Sequence, residues 1–196
     1  MEQERAVALL GTFAAVGGAA RCGIIDWDYV LDDREYVDDV QIVVETPDGN
    51  RVRAGVMVDI VIPESGEVPV YAELDGTRPR RLVADATLWV PEGGTPVSGD
   101  LDLSRAGQGR GAPLGYVTAR GGSILFAETD FYRLCVDQID YEVSQITAHD
   151  EGPEWRVGVY ARLTTLDDDR EYPVYAEYEG EMLARVIVDL EGLPSS

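Results

Sequence analysis

"PVYAE" stands at Pro69–Glu73 and again at Pro173–Glu177, 104 positions apart in a chain of 196 residues. The likeness spreads outward from both copies. Upstream, "RAGVMVDIVI" from Arg53 faces "RVGVYARLTT" from Arg156, and "YVDDVQIVVET" from Tyr36 faces "LCVDQIDYEVS" from Leu134. Downstream, "GTRPRRLVAD" at Gly76–Asp85 faces "GEMLARVIVD" at Gly180–Asp189. An ordered likeness of this length is the mark of an internal repeat.

Each copy reads as four strands. In the first they span Val40 to Thr46, Val52 to Ile62, Val68 to Leu74 and Arg80 to Val90; in the second, Ile139 to Thr147, Trp155 to Leu163, Tyr172 to Tyr178 and Met182 to Leu190. Alternation in "VMVDIVI" and "RVIVDL" turns one face of each strand to a core. "TPDGN" at Thr46–Asn50, "LDG" at Leu74–Gly76 and "YEG" at Tyr178–Gly180 supply the residues that tight hairpins need. A lone four-stranded meander leaves its apolar face open, whereas two together close it. The expectation is an all-β protein from an internal duplication, either a jelly-roll-like sandwich or two tandem small β-sandwiches. Pro69 and Pro173 would start their strands, where a missing N–H costs least. Tyr71 and Tyr175 would share the prolines' face as packing or interface residues, with Val70, Ala72, Val174 and Ala176 on the other.

Outside the repeats, Ala6–Ile25 is the longest apolar stretch. Arg21 interrupts it, Gly17-Gly18 weakens it as a helix, and it is short for a membrane span. "MEQER" before it lacks the positive flank of a secretory leader. It is expected to be a packed N-terminal helix or arm, and membrane contact through residues 6–25 is the lesser reading. The resulting partition is 1–35 arm and acidic connector, 36–90 first repeat, 91–133 Gly/Pro-rich crossover with a short strand near Leu114–Thr118, and 134–196 second repeat. Long loops in a compact body usually carry function or reach another chain.

The 37 acidic residues outnumber 16 basic ones, every one of them arginine, for a formal net charge of −21. With 45% hydrophobic residues the chain can still pack a core. Self-repulsion of this size is relieved in brine, where the Debye length falls to about 3 Å at 1 M salt. The same field repels phosphate backbones, so direct nucleic-acid binding is disfavoured. The "RPRR" patch at Arg78–Arg81 reads as protection of a strand edge.

Candidate chemistry is sparse. Cys22 and Cys135 form no CxxC pair and read as two buried thiols. His149, the only histidine, sits in a turn-like "TAHDEGPEW" without a nucleophile beside it. Asp26, Asp28, Asp32 and Asp33, together with Asp167, Asp168 and Asp169, are weak candidates for a metal, since clustered carboxylates suit calcium; the EF-hand spacing is absent. "RAGQGRG" lacks the GK[ST] ending of a phosphate loop. No catalytic or cofactor-binding residue is assigned, and any cation binding would be weak and diffuse.

The acidic, lysine-free composition resembles that of proteins from halophilic archaea and their viruses. In architecture the chain is similar to small β-barrel capsid, tail or decoration proteins of viruses that infect halophilic archaea. That resemblance implies a non-enzymatic structural subunit of a virion or another high-salt setting, self-associating or joining other structural subunits. The alternative is a binding module on a cell surface or pilus that recognises a glycan or protein.

Overall fold

A computed structural model describes residues 5–26, 35–38, 40–45, 48–98, 101, 103, 111–119, 124–128, 160–163 and 170–191. Their strands are β1 (Arg5–Ala15), β2 (Ala19–Asp26), β3 (Glu35–Asp38), β4 (Gln41–Glu45), β5 (Arg51–Val61), β6 (Gly66–Asp75), β7 (Arg78–Asp85), β8 (Val90–Pro91), β9 (Gly115–Ala119), β10 (Ile124–Glu128), β11 (Tyr160–Leu163), β12 (Arg170–Glu179) and β13 (Met182–Asp189). They form two antiparallel sheets. The first runs β1-β6-β7-β13-β12-β9, with β8 also on β6; the second runs β11-β10-β2-β5-β4-β3. Phe13, Val70, Leu82, Val117, Val174 and Val186 of the first sheet pack with Cys22, Ile24, Val56, Ile60 and Phe126 of the second in one core. The chain is therefore a single β-sandwich, not two tandem ones, because strands from both repeats share one sheet and one core.

The N-terminal apolar segment is neither a helix nor an arm. β1 lies in the first sheet, β2 in the second, and a short 3-10 corner at Val16–Gly18 joins them. Gly17 and Gly18 have φ of 68° and 80°, a region that L side chains resist. A Cβ on Gly18 would stand 2.7 Å from the Ile62 carbonyl oxygen, while the Ile62 N–H donates to Gly18 O at 2.7 Å. The two glycines that weaken a helix here make a corner between sheets. Phe13, Ala15, Ala20, Cys22 and Ile24 face the core. Apart from Thr12 and Arg21, outward positions filled by small or apolar residues hide this alternation from a polarity pattern.

β1 pairs with β6 and β2 with β5, so β1 and β2 build the same half as β5 and β6. The strand order of the first sheet reads alike from either end, and so does its register. Gly11 faces Val70, Thr12 faces Pro69 and Val70 faces Ala84; raising each number by 104 gives Gly115 facing Val174, Tyr116 facing Pro173 and Val174 facing Val188. At the centre Val83 faces Ile187. In the second sheet Gly23 faces Ala127, again 104 apart, and Cys22 opposite Val58 is matched by Phe126 opposite Ala161. One approximate two-fold axis passes through both seams. "ALLGTFAA" at Ala8–Ala15 and "APLGYVTA" at Ala112–Ala119 share Ala, Leu, Gly and Ala at equivalent places.

Candidate functional site

The two "PVYAE" strands meet at the seam through their hairpin partners. Across the outer face of the first sheet, Tyr71 faces Val83, Val83 faces Ile187 and Ile187 faces Tyr175. Tyr71, Val83, Ile187 and Leu103 are buried together, with Val7, Leu88, Leu101 and Tyr175 packed around them. The tyrosines thus lie on the face opposite Val70, Ala72 and Val174, which point into the main core. Val97, Leu101 and Leu103, before β9, lie on this face as a strap. Tyr71 Oη donates to Val97 O at 2.7 Å, and Arg81 donates to Leu103 O at 3.0 Å. Burial, with the Asp85 carboxylate nearby, pushes the Tyr71 phenol up to about 12.

Ion pairs flank the row in matching places. Arg81 Nε donates to Glu73 at 2.6 Å, and Arg185 donates to Glu177 at 2.6 Å; both partners of the second pair lie 104 positions after those of the first. Arg185 also reaches Asp85 across the seam at 3.0 Å. Asp85 accepts in addition from the Thr87 N–H at 2.9 Å and from its hydroxyl at 2.5 Å. The Glu73 and Asp85 side chains are only 4% and 3% exposed, so their charges need these partners. "RPRR" is not edge protection: β7 sits between β6 and β13, Arg81 holds Glu73, and Arg80 holds Glu191 at 2.7 Å. Buried carboxylates engaged in this way tie strands together.

Pro69 and Pro173 do not start their strands; each is the fourth residue of its own. Hairpin pairing nevertheless begins one residue later, at Val70 with Ala84 and at Val174 with Val188. The missing N–H is placed just outside that ladder, which is why an internal proline is tolerated.

A further junction lies between the sheets. Gln41, on β4, donates from Nε2 to Tyr116 O at 2.9 Å and to Gly55 O at 2.5 Å, while the Tyr116 N–H donates to Gln41 Oε1 at 2.7 Å. Its amide pairs with the β9 backbone as a strand residue would. Gly115 leaves the room, since a Cβ there would come within 2.3 Å of Gln41 Oε1. Thr118 donates to Arg53 O at 2.8 Å, and Arg53 pairs with Glu171 at 2.7 Å while lying 4.1 Å from the Tyr116 ring centre. Sequence reading missed this junction, although the Leu-Gly shared by "ALLG" and "APLG" marks where it falls.

Cys22 is a buried free thiol, and burial pushes its pKa up, away from reactivity. Glu67 is also buried, accepts from the Thr12 hydroxyl at 3.2 Å, and is raised by desolvation. Asp26 ends β2. Asp28, Asp32, Asp33, Asp167, Asp168, Asp169, Cys135 and His149 lie outside the described residues. Among the described residues, no His, Cys, Asp and Glu group is arranged to hold a metal ion, and no helix is long and apolar enough to cross a membrane. Comparison with protein-family models, curated proteins and solved structures finds no match to this chain.

Proposed function

We propose that the chain is a non-enzymatic structural subunit of a larger assembly in a high-salt setting, of the capsid, tail or decoration kind made by viruses of halophilic archaea, and that its sandwich arose by internal duplication. The observation that carries this reading is the two-fold seam: two equivalent hairpins join edge to edge, and the buried charges Glu73 and Asp85 are engaged in holding strands together. Each half keeps its hairpin, β6–β7 or β12–β13, within one sheet, which favours duplication over a jelly-roll path. The net charge of −21 adds the preference for salt.

Residues 5–26 are built into the two sheets, so the subunit contacts are placed on the surface of the sandwich. Val16 and Val61, 81% and 56% exposed, flank the corner where Ala19 pairs with Val61, and give an apolar surface for a neighbouring subunit. Light scattering of the full chain from multi-molar salt down to about 0.1 M, where the Debye length reaches ~10 Å, tests the proposal. The expected result is a large, discrete mass at high salt that falls as screening is lost, and a lower mass for Val16→Asp with an unchanged fold. A monomer throughout would overturn it.

A further inference from the structure

We infer that β8 is a proton-controlled latch: it lies closed on β6 while the Glu67 carboxyl is protonated and lifts when that carboxyl ionises, freeing Trp89–Val97, the approach to the strap. Glu67 stands on the outer face of β6, since its neighbour Val68 faces the core, and it is 4% exposed. It lies opposite Ala14 of β1 on one side and Val90 of β8 on the other. The related glutamates of β6 and β12 each have an arginine: Arg81 for Glu73, Arg185 for Glu177, and Arg53 for Glu171, which is the equivalent of Glu67 itself at a spacing of 104. Among the described residues Glu67 has none. β1 offers it the Thr12 hydroxyl, which donates at 3.2 Å; β8 offers only apolar cover; and Glu92, just past β8, adds a second negative charge. Burial first, and then Glu92, favour the neutral carboxyl.

Of the two strands beside Glu67, β8 is the one that can move. β1 is paired with β6 from Arg5 to Ala15, whereas β8 is two residues long, pairs at Gly66 with Pro91 and at Glu67 with Val90, and has in Pro91 a residue without an N–H. The closed fit is tight, since a Cβ on Gly66 would run into Val90 O and the Trp89 ring. A carboxylate buried there lacks the water its charge needs, and lifting β8 admits it. The movement is bounded on both sides. Asp85 caps the Ala86–Leu88 turn before it, and the Tyr71 hydroxyl holds Val97 O after it. Opening returns Glu67 to the ordinary carboxylate range while closing holds its proton, so opening and proton release are linked. Salt weakens the repulsion from Glu92 but leaves the burial of Glu67, the larger cause, in place, so the latch works in brine.

Amide hydrogen exchange of the full-length chain between about pH 4 and pH 8, corrected for the intrinsic pH dependence of exchange, tests this inference. Protection over Trp89–Val97, where the Gly94 N–H donates to Pro91 O, should fall by up to about tenfold per pH unit above the usual carboxylate range and then level off, the limit set by release of one proton. At every pH this segment should exchange well before the β13 amides at the seam, which open only with the whole sandwich. Glu67→Gln cannot ionise and can still accept from Thr12, so its profile should be flat. Glu92→Gln should shorten the fall without abolishing it. A flat profile in the parent chain, an equal fall in Glu67→Gln, or exchange of the segment at the β13 rate would overturn the inference. If Glu67→Gln does not fold, the parent chain and Glu92→Gln decide: a fall made smaller by Glu92→Gln supports the latch, and an unchanged one overturns it.

Discussion

Val83 and Ile187 face each other where β7 meets β13, and they are also equivalent residues of the two halves, 104 positions apart. A residue that pairs with its own counterpart lies next to the axis. Both are fully buried under the crossover strap, between Tyr71 and Tyr175. Gly23 and Ala127 in the other sheet likewise pair at a spacing of 104.

Ile187→Ala should therefore act on both halves at once. Removing a fully buried isoleucine side chain costs about 2–5 kcal/mol, and Ile187→Val about 0.5–1.5 kcal/mol. Urea unfolding should show the loss in a single transition. Two separate transitions, with only one displaced, would show that the halves are independent.

Arg81→Met should cost about 3–5 kcal/mol, because it removes the guanidinium that pairs with the buried Glu73 carboxylate. Pairing it with Glu73→Leu should recover most of the loss, since two apolar residues need no compensation. Arg53→Met, which breaks a partly exposed ion pair with Glu171, should cost about 1 kcal/mol or less from that pair. Thermal melts of the three variants give the ranking.

Tyr71→Phe keeps the ring and removes the bond to Val97 O. A loss of about 1 kcal/mol is expected, with faster proteolytic cleavage in the strap between Glu92 and Leu103. Equal cleavage rates for the variant and the parent chain would show that Tyr71 does not hold the strap.

Glu67 sets a pH dependence whose sign follows from burial. Its carboxyl pKa is raised in the folded chain, so the folded state holds the proton more tightly than the unfolded state does. Its stabilising contribution is fully present below the unfolded value and is lost as pH rises through the folded value. Glu67→Gln, which can still accept from Thr12, should raise stability at neutral pH and flatten that part of the profile. Melting temperatures of both chains between pH 4 and pH 8 should converge at the acid end; parallel curves would remove Glu67 as the source.

Much of the β architecture was legible from local pattern. β5, β6, β12 and β13 fall within a few residues of the expected strands, because alternating core residues and turn glycines are local signals, whereas the strand expected over Arg80 to Val90 stops at Asp85, which caps a 3-10 turn at Ala86–Leu88. Gly76 and Gly180, at φ of 61° and 67°, close the two hairpins where "LDG" and "YEG" placed turns. β1 and β2 were missed because most of their outward residues, Thr12 and Arg21 aside, are small or apolar, which weakens the alternation that distinguishes strand from helix. The prolines were displaced from the strand starts because the relevant boundary is that of hairpin pairing, which a single strand does not reveal. Of the candidate site, the tyrosine face was legible from alternation, but Gln41 was not, since its partner Tyr116 is 75 residues away.

The sequence by itself determined that this chain is a β protein with an acidic surface and two related hairpins, since composition, two-residue alternation and turn chemistry are written in neighbouring residues. Tertiary structure decided that the halves share one sandwich, that the N-terminal apolar run supplies a strand to each sheet, and that Val83 meets Ile187 at the axis. Those are matters of register between distant strands, where shifting one strand by a single residue would turn its core face outward. Only the packed whole selects among such registers, by burying Tyr71 beneath the strap and giving Glu73 and Asp85 their arginines.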